Sequence, residues 1–206
     1  MNEIIGERDV ATLLAPAAPG QEVLERLRQR FVETVTSDGI LDVAYTTVDT
    51  PVGSLLLAAS EKGLVRVAFA SEDHDKVLSV IANTLSPRIL RAPKRLDEAA
   101  REMDEYFAGS RKVFDLSLDW SLSSGFRQLV QRHLADIAYG RTESYTEVAR
   151  LVGHPKAVRA VGSACATNPL PVVVPCHRVL RSDGSLGGYV GGLAVKAALL
   201  KLEGAT

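Results

Sequence analysis

Between Leu41 and Ala70 the chain spells three short runs, "LDVAYTTVD", "GSLLLAAS" and "GLVRVAFA", divided by "TPVG" and "SEKG". Runs this short, rich in β-branched and apolar residues and punctuated by Gly and Pro, fit strands joined by tight turns and not helices. They predict a three-stranded antiparallel meander. Cover for it is at hand. "DHDKVLSVIANTL" (73–85) and "RLDEAAREMDEYFAG" (95–109) repeat their apolar residues at helical spacing, the second stopped by Gly109. "KVFDLSLDW" (112–120) alternates and predicts a further strand. His74 stands in a charged turn and reads as solvated. Residues 41–120 therefore predict a small α+β unit.

What precedes it reads as an appendage, residues 1–40. "APAAPG" is a breaker, and "QEVLERLRQRFVETV" puts Val23, Leu24, Leu27, Phe31, Val32 and Val35 on one face of a helix expected to dock on the core. The N-terminus lacks a basic region followed by an apolar stretch, so no secretory signal is expected. No apolar run is long enough to span a bilayer. Two cysteines among 206 residues can build neither a disulfide framework nor a four-cysteine zinc site. A reducing, cytoplasmic compartment is the expectation, close to the nucleoid if the source is bacterial.

After residue 120 the period is helical. "SSGFRQLVQRHLADIAYG" predicts one helix, on which His133 reads as packed or partly exposed and not as a ligand. "SYTEVARLVG" and "PKAVRAVGSACA" predict two short ones separated by "GHP". Ser144 and Glu147 have capping-box spacing, and Pro155 suits a first helical turn. Two short helices around such a turn have the pattern of a helix-turn-helix, although an ordinary helical hairpin is the commoner meaning of this feature alone. If the second helix meets DNA, it carries few side chains able to read bases. Ala157, Ala160, Gly162, Ser163, Ala164 and Ala166 are small, and Lys156 and Arg159 are the only candidates. Such a helix suits close approach to the backbone regardless of sequence. Charge agrees with this. The whole chain is −1, but residues 144–206 sum to +4 and residues 1–143 to −5, as expected if only the C-terminal part meets an anion.

The stretch "NPLPVVVPCHRVLR" (168–181) holds the chemistry. "PVVV" reads as a short apolar strand. Cys165, among alanines, reads as a buried structural thiol. Cys176 is followed by His177, Arg178 and Arg181, and positive charge or a base raises the reactive thiolate fraction. Neighbours on an extended chain point to opposite sides, so Cys176 and His177 need a bend or a bridging water to communicate. Downstream, Gly184, Gly187, Gly188, Gly191 and Gly192 surround Tyr189, which permits close approach to a flat ligand but is not a phosphate loop. "LAVKAALLKLEG" predicts a closing helix.

Together these residues resemble the methylated-DNA–protein-cysteine methyltransferases, the O6-alkylguanine-DNA alkyltransferases. "PCHRV" (175–179) matches the family's signature, and the match extends from Ser144 to Gly204 with the spacing of several motifs kept. The resemblance implies an α+β fold: an N-terminal ribonuclease H-like domain (41–120) of a three-stranded sheet with helices, then a mainly helical C-terminal domain (121–206) with the helix-turn-helix and the cysteine. It implies transfer of an alkyl group from O6 of a flipped guanine in double-stranded DNA, with O4-alkylthymine a further substrate, to the chain's own cysteine, once per molecule. By the same resemblance Cys176 is the acceptor, His177 its base through a water, Glu203 the residue that polarises His177, and Asn168 the holder of the turn. Tyr145 crowds the 3′ phosphate and donates to the base. Arg159 enters the duplex as a finger, with Lys156 and Ala157 also at the DNA. Tyr189, Val179, Val190, Pro171 and Gly187 form the base and alkyl pocket, with the Cys176 and Val179 carbonyls accepting from the exocyclic amine and the Val190 amide donating to O6. No cofactor is implied. Some relatives hold zinc in the N-terminal domain, but no cysteine precedes Cys165, so no metal is expected. The expected partner is DNA, not a membrane, met by a monomer, with cooperative clustering left open. Two other readings remain: a helix-turn-helix protein that only flags lesions, and a cysteine hydrolase.

Overall fold

The computed structural model describes residues 20–37 and 39–205. The chain divides between residues 38 and 39 into two units. In the first, the expected helix is present as α1 (Gln21–Ser37), with Val23, Leu24, Leu27 and Phe31 of its apolar stripe exposed. The breaker "APAAPG" lies, apart from Gly20, outside the described residues.

The second unit begins with the meander: β1 (Val43–Thr50), β2 (Gly53–Ser60) and β3 (Gly63–Phe69), antiparallel in sequence. Strand β2 lies inside the sheet and is buried without a break from Leu55 to Ala59, because both faces of the sheet are covered. That explains its continuous apolar run in place of the alternation of a half-exposed strand. Helix α2 (His74–Thr84) packs Val77 and Ile81 against Val43, Leu56, Ala58, Val65 and Ala68. Helix α3 (Asp97–Phe107) buries Ala99, Met103 and Tyr106. His74 is less solvated than expected: it opens α2 half-buried, with a buried Nε2.

Two differences concern the sheet. A fourth strand, β4 (Ile89–Arg91), joins parallel to β1 and completes the order β3-β2-β1-β4. The strand expected at 112–120 shrinks to one bridge between Leu64 and Leu118. The free edge of β3 is shared: Leu64 exchanges backbone hydrogen bonds with Ser117 and Asp119, but the Val67 amide is taken by the Pro169 carbonyl. The segment is held from its other side by the buried Glu102, which accepts from the Asp115 amide and pairs with Arg111.

The helical part follows. Helix α4 (Gly125–Ala135) is shorter than its sequence pattern, and its His133 bonds Glu143 at 2.7 Å. Strand β5 (Glu143–Ser144) leads into α5 (Tyr145–Leu151), where the capping box forms as expected, the Glu147 amide donating to Ser144 Oγ and the Ser144 amide to Glu147 Oε2. The next helix, α6 (Val158–Ala166), starts later than expected. Pro155 sits before it in a turn closed by the Ala157 amide on the His154 carbonyl. Strand β6 (Val179–Leu180) pairs with β5, and α7 (Leu193–Leu202) closes the fold. Among the described residues no helix is long and apolar enough to cross a membrane.

Candidate active site

The site is built on a turn. Residues 171–174 were expected as a strand; they are a compact loop. Pro169, Pro171 and Pro175 withhold amide donors, so a ladder cannot form there. Asn168 supplies the missing order. Its Oδ1 accepts from the Leu170 amide at 3.0 Å, and its Nδ2 donates to the Val174 carbonyl at 2.8 Å. The loop closes with the Val174 amide on the Leu170 carbonyl at 2.7 Å. Val172 adopts φ 74°, a conformation that costs a β-branched residue on the order of 1–3 kcal/mol and persists only where the surroundings enforce it. Every residue from Asn168 to Val179 is buried.

The loop delivers Cys176 into a single 3-10 turn, Cys176–Arg178, not an extended chain. The second amide hydrogen of Asn168 points at Cys176 Sγ, 3.2 Å away. Burial pushes the thiol up to about 11, against the pull of the Asn168 hydrogen bond and the Lys196 charge. Cys176 thus rests as a thiol and needs a base to react.

A candidate base is adjacent in sequence. His177 is fully buried, and its Nε2 lies 2.9 Å from Glu203 Oε1. Burial alone would raise the Glu203 carboxyl, but hydrogen bonds from His177, Arg178 and Tyr106 outweigh it and hold it at about 2. An ionised carboxylate only accepts, so Nε2 carries the proton and neutral His177 keeps its lone pair on Nδ1. Nδ1 is buried and bonds no described residue. Burial lowers the His177 pKa, with Glu203 opposing, so the ring is poised neutral and able to take a proton.

Arg178 does not stabilise the thiolate. It turns to Glu203, with Nε 2.8 Å from Oε2 and Nη2 2.9 Å from Oε1, donates Nη1 to the Ile137 carbonyl, and lies 5.8 Å from the Tyr139 ring. Its position beside Cys176 in the sequence suggests a charge for the thiolate; the structure makes it the main counter-charge of the buried carboxylate. Two further residues were missed. Tyr106, on α3, donates its hydroxyl to Glu203 Oε1 at 2.7 Å. Lys196, on α7, is fully buried and donates Nζ to the Val179 carbonyl at 2.5 Å. Their signals were weak. The helical periodicity of α3 and α7 singles out neither residue.

The other named residues surround this centre. Tyr145 opens α5 half-buried, its phenol pKa raised by burial and by Cys165 and Cys176. Its ring fills the space over Gly187, where a Cβ would stand 2.3 Å from the hydroxyl oxygen, so any side chain there would displace the Tyr145 ring. Tyr189 meets Phe69 and His177 edge-on at 5.7 and 6.2 Å, with a buried hydroxyl that bonds no described residue. Val179 and Pro171 are buried, and Val190 is half-buried beside Tyr189. The Cys176 carbonyl already accepts from the Val179 amide, and the Val179 carbonyl from Lys196. Each carbonyl keeps a second lone pair. Away from the relay, Arg159, Ala160, Ser163 and Ala166 form the exposed face of α6, with Lys156 exposed and Ala157 half-buried before it.

A four-stranded α/β layer, a helix-turn-helix and a buried Cys–His–Glu centre thus share one unit. Residues 43–120 match the model of the 6-O-methylguanine DNA methyltransferase ribonuclease-like domain, and residues 125–205 that of its DNA binding domain. The chain is 40% identical over 159 residues to a methylated-DNA–protein-cysteine methyltransferase of Methanosarcina barkeri, covering 77% of this chain and 96% of the relative. It is 41% identical over 160 residues to the constitutive enzyme of that name in Bacillus subtilis, covering 77% and 94%. The crystal structure of Mycobacterium tuberculosis OGT in complex with DNA is similar at 37% identity and a TM-score of 0.68, covering 79% of this chain and 93% of that one. The chain belongs to the methylated-DNA–protein-cysteine methyltransferase family.

Proposed function

We propose that this chain repairs DNA by moving an alkyl group from O6 of guanine, and from O4 of thymine, to Cys176 Sγ, once per molecule. The observation that carries the reading is the polar organisation around one thiol: Asn168 donating to Sγ, and a histidine whose protonated side is fixed by Glu203. The thiol proton passes through a water to His177 Nδ1. Sulfur attacks the alkyl carbon, the S–C bond forms as the C–O6 bond breaks, and Tyr145 supplies a proton to the leaving guanine. The product is a thioether, which has no thiolate to regenerate, so one molecule acts once.

Burial dictates how the lesion arrives. Cys176 is 2% exposed, so no base in a stacked duplex can touch it. The base must leave the helix, at a cost of a few kcal/mol. Arg159, the cation on an otherwise smooth exposed face of α6, would fill the gap, with Lys156 and Ala157 against the backbone. The flipped guanine would lie by Tyr189, with Val179, Val190, Pro171 and Gly187 around it. We assign a division of labour near residue 120: the ribonuclease-like part supports, and the helical part binds duplex DNA and accepts the alkyl group. One chain per lesion suffices.

Titration with a duplex containing O6-methylguanine tests this. One methyl group should leave the DNA per protein molecule and then transfer should stop. Tight binding with no covalent change would mean a lesion-flagging protein, and continued turnover of an ester would mean a hydrolase.

A further inference from the structure

We infer that Tyr106, which α3 brings in from the ribonuclease-like part of the chain, is a positioning residue of alkyl transfer that sets how strongly Glu203 polarises His177. This rests on the function proposed above.

Glu203 Oε1 receives His177 Nε2, Arg178 Nη2 and the Tyr106 hydroxyl, at 2.9, 2.9 and 2.7 Å. Oε2 receives Arg178 Nε at 2.8 Å and, more distantly, the Gly140 amide at 3.4 Å. A carboxylate offers about four acceptor positions, so this one is saturated. Donors that share an oxygen compete for its charge, and Tyr106 and His177 share Oε1. A purely structural tyrosine needs only its ring, which here meets Phe107 and Phe114 at 5.2 Å and Tyr139 at 6.3 Å. Its hydroxyl instead reaches the one oxygen that addresses the base. The phenol is fully buried, its pKa raised by burial and then by Glu203, so at every working pH it donates and never competes as an anion.

The direction of the effect follows. Tyr106 draws negative charge from Oε1 and so weakens the support Glu203 gives to an imidazolium at His177. Other groups facing His177 are fixed. Arg178 from its own turn and Lys196 from α7 disfavour its protonation, while its chain neighbour Cys176 and the Tyr189 ring stand beside it uncharged. Removing the Tyr106 hydroxyl should therefore leave His177 more basic. The resting ring would protonate at higher pH, and the acid limb of transfer would move up with it.

The test is Tyr106→Phe, which keeps the ring and its packing. Single-turnover methyl transfer from an O6-methylguanine duplex, followed against pH, should show its acid-side midpoint raised by roughly half a unit. In parallel, the ring-nitrogen NMR signals of His177 should titrate with the same upward shift. A transfer profile that falls by one constant factor at every pH would mean a structural role and overturn the inference. So would unchanged His177 titration, including a ring neutral in both proteins down to acid unfolding. The NMR readout needs no transfer. Failure of the wild-type protein to transfer at all would overturn the proposed function instead.

Discussion

Cys165 and Cys176 are both buried free thiols, and burial raises the pKa of both. Cys165 sits on the inner face of α6 beside Val161 and Ala164. Its burial is nearly unopposed, and its pKa goes above that of Cys176. Cys176 sits in a turn where an asparagine donates to its sulfur and a neutral histidine follows it. Neither burial nor nearby positive charge separates the two thiols, since burial raises both and Lys196 lowers both. What distinguishes Cys176 is its polar company, an asparagine donating to its sulfur and a neutral histidine next in the chain. Arg178 illustrates the point, since its guanidinium pairs with the Glu203 carboxylate and not with the sulfur.

The comparison can be broken most severely at the sulfur. Cys176→Ala should abolish methyl transfer while leaving affinity for a lesion-bearing duplex within a few-fold. Residual transfer would mean that Cys165 or another nucleophile had been overlooked. Next in size is Glu203. Glu203→Ala leaves Arg178 buried without its counter-charge and His177 without its fixed tautomer. Breaking such a pair costs about 3–5 kcal/mol, and urea unfolding should register a loss of that order together with slow transfer.

Acid provides a milder perturbation of the same group. The folded pKa of Glu203, about 2, lies below its ordinary 4.5. A depressed carboxylate contributes stability above the unfolded value and loses it as pH falls toward the folded one. Stability should therefore drop between about pH 4.5 and 2, and Glu203→Gln should flatten that part of the curve. Arg159→Ala should slow repair of a duplex lesion on the order of tenfold while sparing free O6-benzylguanine; an equal loss on both would remove the finger role. The smallest effect belongs to the other thiol. Cys165→Ala should cost about 1 kcal/mol of stability from the small cavity and leave the transfer rate unchanged.

The legible parts of this molecule were those encoded locally. The meander was visible because Gly and Pro punctuate it, and the α5 cap because Ser144 and Glu147 stand three apart. Strand β4 was not, because three residues carry no period and their pairing partner, β1, lies far back in the chain. "PVVV" misled for a related reason. Valine favours strands, but the prolines and the Asn168 side chain decide the backbone here. The motif "PCHRV" named the thiol and the histidine. The buried company of Glu203 was beyond it, since Tyr106 and Arg178 are joined only by tertiary packing.

The central claim is that one of two buried thiols accepts the methyl group. The direct measurement is peptide mass mapping of the protein after reaction with an O6-methylguanine duplex. A single added methyl is expected on the peptide containing Cys176, with Cys165 unmodified. A methyl group on Cys165, or complete binding with neither thiol modified, would contradict it.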